Sequence, residues 1–425
     1  YLPKLLIDNQ LIPPVNIDKP FEYLGRFFDF KMSDDQHKDE LISLTNDLMT
    51  DIDAKPLHPK NKLNLYSRYV LTKLSWHFTV TSITKTWVIE NIDPIINRYI
   101  RQWLEIPISG TLSTIFLTNN KFGLNLYPPS VKFIQCRSVL RSALKTSPNE
   151  SINQLWKSSS TDTNLQYDIY KSTKEVIKTF RTECEEKLQN QLTLQGSFFS
   201  NVSRLSLSAL NKIWSSAQSS LPKNIYNFTV RYINNSLPTR KNLQRWGLSS
   251  NPDCSFCLGS QTLLHVVAGC QSCLDRFTWR HNSVLNFLVE TLSPLQEYRI
   301  FADLPGFNNP SIVTGESYRP DLLLESRNKS VLYIIELTVG FESNLESNAH
   351  RKKAKYKHLV NEQKKYYNDV KFINLSISAL GVFGKECKSY LDMLDSLGFD
   401  DKHKKYFIRK IMALSIRSTY YVFCC

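Results

Sequence analysis

Three cysteines and a histidine fall within the stretch CSFCLGSQTLLHVVAGC, at Cys254, Cys257, His265 and Cys270. The spacing is C-x2-C-x7-H-x4-C, and nothing else in the chain restricts its local fold so tightly. Thiolate and imidazole are soft donors that suit one zinc ion in a closed tetrahedron. A C-x2-C pair can grip an ion from a tight turn while the second pair comes from the following helix. His265 and Cys270 stand five apart, slightly wide for one face of an ideal helix, so Cys270 is expected just past the helix end, after Gly269. Cys273 is an alternative ligand, and a metal-free cluster of buried thiols is the competing reading. A closed Cys3His site leaves no position open to a substrate, so zinc here is expected to be structural. In model fingers such a staple is worth on the order of 10 kcal/mol.

The other cysteines fit this view. The chain has nine, an odd number, and Cys136, Cys184, Cys387, Cys424 and Cys425 are scattered. That pattern suits a reducing compartment better than a disulfide framework. The chain has 425 residues and a formal net charge of +14, which points to a polyanionic partner, most simply nucleic acid. At about 100–200 residues per domain, two to four domains are expected. No run approaches about 18 apolar residues, so no membrane partner is expected. The chain opens on Tyr1 and reads as a piece of something longer.

Hydrophobic periodicity predicts an amphipathic, base-studded helix over residues 60–80. A second is expected in ENIDPIINRYIRQWLEIP, with Asp93 as cap and Pro94 in the first turn. STIFLTNNKFGLNLY reads as a short hairpin, and SPNESINQLWKSSSTDTN as a polar linker followed by a charged helix around 165–192. Amphipathic helix returns over 221–247. LLLES and VLYIIELTV read as strands of a buried sheet, and Ala349 to Tyr367 as a basic helix.

A second constellation lies in that last third. Asp321 follows a proline, and Glu336 sits inside the apolar run VLYIIELTV. A carboxylate there is costly unless it meets a metal or a cation. Two strand-borne acids at this separation can converge on one edge of a hairpin and hold Mg2+ or Mn2+ through oxygen, an arrangement that activates water beside a scissile phosphate. The PD-(D/E)xK nuclease pattern would place lysine at 338, where this chain has Thr338. Lys352 or Lys355, one helical turn apart in HRKKAKYKHL, is the expected substitute. The competing reading is a turn acid, a satisfied strand acid and a solvated basic face.

Taken in order, these pieces resemble the C-terminal part of the polyprotein of a non-LTR (LINE-like) retrotransposon of the restriction-like-endonuclease class. FEYLGRFF (21–28) looks like the reverse transcriptase primer grip. KLNLYSRYVLTKLSW, IDPIINRYIRQWLEIP and KFGLNL look like its thumb. LPTRKNLQRWG, the CCHC knuckle and FTWRHNSVLNFL follow the family's linker, and RPD…E…K-x-x-K-Y with SISALGVFG follows its endonuclease.

The resemblance implies a multidomain α+β chain with a helical thumb and linker, a small zinc knuckle and an α/β PD-(D/E)xK-like core. The expected domains are 1–30 (end of palm and primer grip), 31–145 (thumb), 146–247 (polar and helical linker), 248–295 (knuckle) and 296–425 (endonuclease). It implies Asp321 and Glu336 as metal-binding acids assisted by Lys352 and Lys355, and nucleic-acid contacts at Arg280, His281 and Tyr356. Arg68, Lys73, Arg98 and Arg101, with Lys62, would grip template and primer through phosphates. The implied activity is nicking of target DNA to prime reverse transcription of the element RNA. The partners are target DNA and element RNA in the nucleus, with a homodimer on the target allowed. The paired aspartates of a polymerase palm are missing. Asp34–Asp35 and Asp400–Asp401 lie after the grip and read as surface acids, so polymerisation by this fragment alone is not expected. A nucleic-acid-binding remnant with an inactive nuclease, or a domesticated host protein, is the alternative.

Overall fold

The computed structural model describes residues 6–11, 21–23, 25–28 and 33–424. The chain divides into two compact units, residues 1–103 with 126–183, and residues 104–125 with 184–425.

The first unit is mainly helical. Phe21–Tyr23 pairs antiparallel with Arg26–Phe28 across a turn in which Gly25 takes a positive φ of 76°; Leu24 of the expected grip lies outside the described residues. The helix expected over 60–80 runs as Pro59–Leu65 and Leu71–Val80, joined by a π-helical turn at Tyr66–Val70. Leu63, Tyr66, Val70, Leu74 and Phe78 are buried along it. Asp93 does more than open its helix: its carboxylate accepts from the Ser130 N–H (2.9 Å) and hydroxyl (2.6 Å), and burial pushes it up to about 6. The expected polar linker is folded instead. Asn149 caps the helix Glu150–Ser158, and Trp156 lies beneath Lys145 and Arg141. One well-placed cap and one aromatic outweigh a composition rich in Ser, Thr and Asn. Asp34, expected at the surface, pairs with Arg26 at 2.7 Å and is nearly buried.

The second unit holds both sequence-derived sites. Helices α1 (Asn211–Gln218) and α2 (Lys223–Ile233) precede the cysteine-rich stretch, and α3 (Leu274–Leu292) follows it. Then come β1 (Tyr298–Ala302), β2 (Leu322–Ser326), β3 (Val331–Gly340), α4 (Leu345–Gln363), β4 (Asp369–Ser378) and α5 (Asp401–Cys424). The sheet order is β1-β2-β3-β4. The first three strands form an antiparallel meander, and β4 joins β3 in parallel through the crossover helix α4. The largely apolar runs of β2 and β3 demand cover on both faces. They receive it: Leu322, Leu324, Tyr333 and Ile335 face one core, while Leu323, Leu332 and Ile334 face another with Tyr356 and Leu359 of α4.

The hairpin expected in STIFLTNNKFGLNLY does not form. Ser113–Phe116 is a helical turn and Asn119–Lys121 a 3-10 turn. The chain still reverses, because Phe122 adopts a left-handed φ of 62° and buries its ring against Phe198 and Trp214. Core packing of one aromatic overrides the strand propensity around it. No helix among the described residues is long and apolar enough to cross a membrane.

Candidate metal centre and carboxylate site

The knuckle is built from a tight turn and a widened one. The Cys254 N–H donates to the Gly259 carbonyl (2.8 Å) and the Leu258 N–H to the Cys254 carbonyl (3.1 Å), folding the C-x2-C segment back on itself. Leu258 takes a positive φ of 59° to close that loop. Thr262 then starts the helical turn, its hydroxyl accepting from the His265 N–H. Residues His265–Gly269 are π-helical, closed by the Cys270 N–H on the His265 carbonyl at 2.9 Å. The extra residue per turn answers the five-residue spacing. It brings Cys270 back beside His265, a register an α-turn would miss.

The four donor atoms lie within 4.8 Å of one another. Cys254 Sγ stands 4.0 Å from Cys270 Sγ, Cys257 Sγ 3.8 Å from Cys270 Sγ and 3.4 Å from His265 Nε2. A tetrahedron with zinc–sulfur arms of about 2.3 Å has edges of about 3.8 Å, so these separations fit zinc. Burial alone would raise the Cys254 thiol, but the Phe256 N–H and the neighbouring side chains bring it down to about 6. Cys273 is buried beside the set but is not one of its four members.

The carboxylate site assembles from four elements. The register that pairs Leu322 with Ile335 sets Asp321 across from Glu336 at the end of the β2–β3 ladder. The Asp321 N–H donates to Glu336 Oε2 (3.3 Å), and Asp321 Oδ2 accepts from the Leu337 N–H (2.8 Å). His281, from α3, places Nε2 3.4 Å from Asp321 Oδ2. Lys352, from α4, pairs its ammonium with Glu336 Oε1. Glu336 is raised above the ordinary carboxylate range, first by burial and then by the charge of Asp321, with Lys352 opposing. Burial would lower His281, but Asp321 outweighs it and the imidazole is raised. Thr338 lies on the same face of β3 as Glu336, and its buried hydroxyl has no hydrogen-bond partner among the described residues. Magnesium usually takes one or two carboxylates and keeps several waters, which this pair can provide.

Residues 197–279 match the family described as zinc-binding in reverse transcriptase. The match ties this part of the chain to reverse transcriptase proteins, and together with the Cys3His cluster it supports a structural zinc. It starts at the helix Ser197–Leu205, well inside the expected linker, and ends at Trp279, before either carboxylate. The zinc-binding segment is thus larger than the knuckle. Val202, Trp214, Phe228 and Tyr232 share one core with Leu263 and Val267 of the knuckle. No curated protein matches the chain.

Two residues expected to meet nucleic acid lie in the interior. Arg280 is 1% exposed, and its guanidinium donates to the Val267 carbonyl (2.7 Å), the Val339 carbonyl (3.3 Å) and the Thr419 hydroxyl (3.4 Å). It binds the π-turn of the zinc-binding segment to β3 and α5. Tyr356 is fully buried, and its hydroxyl donates to the Arg319 carbonyl (3.0 Å). Neither side chain is placed to reach a nucleic acid. His281 joins the carboxylates, a role sequence reasoning missed. Lys355 is exposed and turns to the Tyr356 hydroxyl (3.1 Å), so Lys352 is the lysine at the acids. In the first unit Arg68, Lys73 and Arg98 are exposed, Arg98 also donating to Asn46 (3.3 Å). Lys62 is held by Asp53 (3.2 Å), and Arg101 is half-buried.

Proposed function

We propose that this chain belongs to a reverse transcriptase polyprotein of a non-LTR retrotransposon, and that Asp321 and Glu336 are the centre of a metal-dependent endonuclease that nicks target DNA. The observation that carries the reading is the meeting of Asp321, Glu336, Lys352 and His281 from four separate elements at one strand edge. Each acid has one basic partner, Asp321 with His281 and Glu336 with Lys352; what favours a shared cation is that Glu336 is raised by burial and by the charge of a second acid at its side.

Asp321 and Glu336 would hold Mg2+ or Mn2+. Bound there, the ion would neutralise charge on the scissile phosphate and make a water more acidic. Lys352 keeps a positive charge at the mouth of the pair and can turn from Glu336 to a phosphate oxygen. His281 fixes the Asp321 carboxylate, as does the Leu337 N–H. The zinc lies outside this chemistry, ordering the π-turn that Arg280 ties to β3. The partners under this reading are target DNA and element RNA, and the site of action is the nucleus.

A second reading is favoured by Thr338, which stands where the nuclease pattern carries lysine. Under it the fold is a nucleic-acid-binding remnant. Plasmid nicking with Mg2+ or Mn2+ separates the two. Wild type should convert supercoiled to open-circular DNA, and Asp321→Ala should not. Equal conversion by both proteins would refute the assignment, and binding without metal-dependent cleavage in wild type would favour the remnant.

A further inference from the structure

The last helix carries a row of charge that its packing does not use. One side of α5 is buried through Phe407, Ile408, Ile411, Met412, Ile416 and Val422. On the opposite side Lys402, Tyr406, Lys410, Arg417 and Tyr421 are exposed at multiples of the helical turn. From Lys402 to Tyr421 the row runs about 28 Å, at 1.5 Å per residue. Lys404 is satisfied by Asp401 (2.8 Å) and Asp395. Among the described residues none of Lys402, Lys410 and Arg417 has a carboxylate partner.

The row ends on aromatic rings. Tyr421 (47% exposed) meets Trp279 (50% exposed) edge-on, with ring centroids 6.3 Å apart. They line an open groove of about 520 Å³ together with Arg276 and Val422, and Asp275 is its one acid. Arg276 also sets its guanidinium 5.8 Å from the ring of Phe256, which is 61% exposed on the knuckle between Cys254 and Cys257. Flat apolar rings left in water beside unpaired cations are the pattern of surfaces on which unpaired bases stack while their phosphates are neutralised. A duplex keeps its base faces covered and would use the charges but not the rings.

We propose that the exposed face of α5 and the rings of Tyr421, Trp279 and Phe256 form a track for single-stranded nucleic acid. Phosphates lie along Lys402, Lys410 and Arg417, and bases stack at the knuckle end. The track uses none of the residues assigned to the carboxylate site and rests on charge and exposure alone, so it stands or falls apart from the nuclease reading.

The test is fluorescence anisotropy of labelled oligo-dT and oligo-U with the full zinc-loaded chain across a salt series. Trp279→Ala with Tyr421→Ala should weaken binding roughly five- to hundredfold per stacked base lost, with the salt slope unchanged and duplex binding within about twofold of wild type. Lys410→Glu with Arg417→Glu should flatten the log–log salt slope by about 0.7 per phosphate contact removed. Wild-type affinity in both variants, or equal weakening toward duplex, would overturn the proposal. Should the aromatic variant lose zinc, photocrosslinking of a bromouracil-substituted strand to wild type decides. Adducts on peptides holding Trp279 or Tyr421 support the track, and adducts only elsewhere overturn it.

Discussion

Replacing Arg280 by alanine should destabilise the second unit and loosen its zinc without first touching nucleic acid. The Arg280 guanidinium makes one short hydrogen bond, 2.7 Å to Val267, and two longer ones, 3.3 Å to Val339 and 3.4 Å to Thr419. A bond from a charged donor is worth about 1.5–3 kcal/mol when short, and about 1 is a fair figure for each longer one, so about 3.5–5 kcal/mol is lost. Against that stands relief from burying the charge. Burial lowers the guanidinium from 12.5 to about 10, which corresponds to about 3 kcal/mol. The void and the orphaned carbonyls cost about 2 kcal/mol more. The net expectation is a loss of about 3 kcal/mol for Arg280→Ala. Arg280→Met keeps the volume and should lose about 1–2 kcal/mol.

Because Val267 lies inside the π-turn that seats His265 and Cys270, the same change should reduce zinc affinity about 10–100-fold, as loss of a supporting contact around a metal usually does. Competition with a chromogenic chelator reads the zinc, and urea unfolding followed by circular dichroism reads the stability. Arg280→Ala that unfolds and holds zinc like wild type, yet binds nucleic acid poorly, would refute the reasoning and return Arg280 to the surface role the motif implied.

Other perturbations follow from the same geometry. Glu342 is buried beneath the Tyr232 hydroxyl (3.1 Å), and burial pushes its carboxyl from 4.5 to about 7. The folded state therefore holds that proton more tightly than the unfolded chain. Its stabilising share is complete below about pH 4.5 and is lost as pH rises through about 7, about 3 kcal/mol in all. Glu342→Gln should flatten that part of the profile and leave the variant more stable than wild type at pH 8, measured by urea unfolding; an unchanged profile would contradict the burial argument. Lys352→Met should cut plasmid nicking at least about a hundredfold, while Lys355→Met should have a small effect, because only Lys352 reaches an acid. Equal losses from the two would contradict the placement.

What could be read from the sequence was what carries its chemistry in local spacing. The four zinc donors announce themselves because thiolates at C-x2-C have few other uses, and Glu336 because a carboxylate within VLYIIELTV demands a partner. Strands β2 and β3 were legible for the same reason, being largely apolar runs too short for buried helices, whereas β1 and β4 were not read as strands. The rest depended on contacts between residues distant in the chain. Nothing near His281 signals that its partner is Asp321, and an arginine beside it in a helix looks like surface until three acceptors converge on it from three elements. The π-turn at His265–Gly269 was visible only as an awkward spacing. Asn149 and Trp156 turned an apparent linker into a folded helix, and Phe122 turned an apparent hairpin into a buried corner. In each case packing of one or two side chains decided against local propensity.

Under the proposed function Asp321 and Glu336 share a catalytic cation while the zinc is structural, and counting bound Mn2+ on the zinc-loaded protein tests this most directly. Electron paramagnetic resonance of free Mn2+ during titration should show one bound ion in wild type. Glu336→Gln should abolish that ion, with zinc content unchanged and plasmid nicking lost in parallel. Full Mn2+ binding by Glu336→Gln, or nicking by wild type that persists when only zinc is present, would contradict the account.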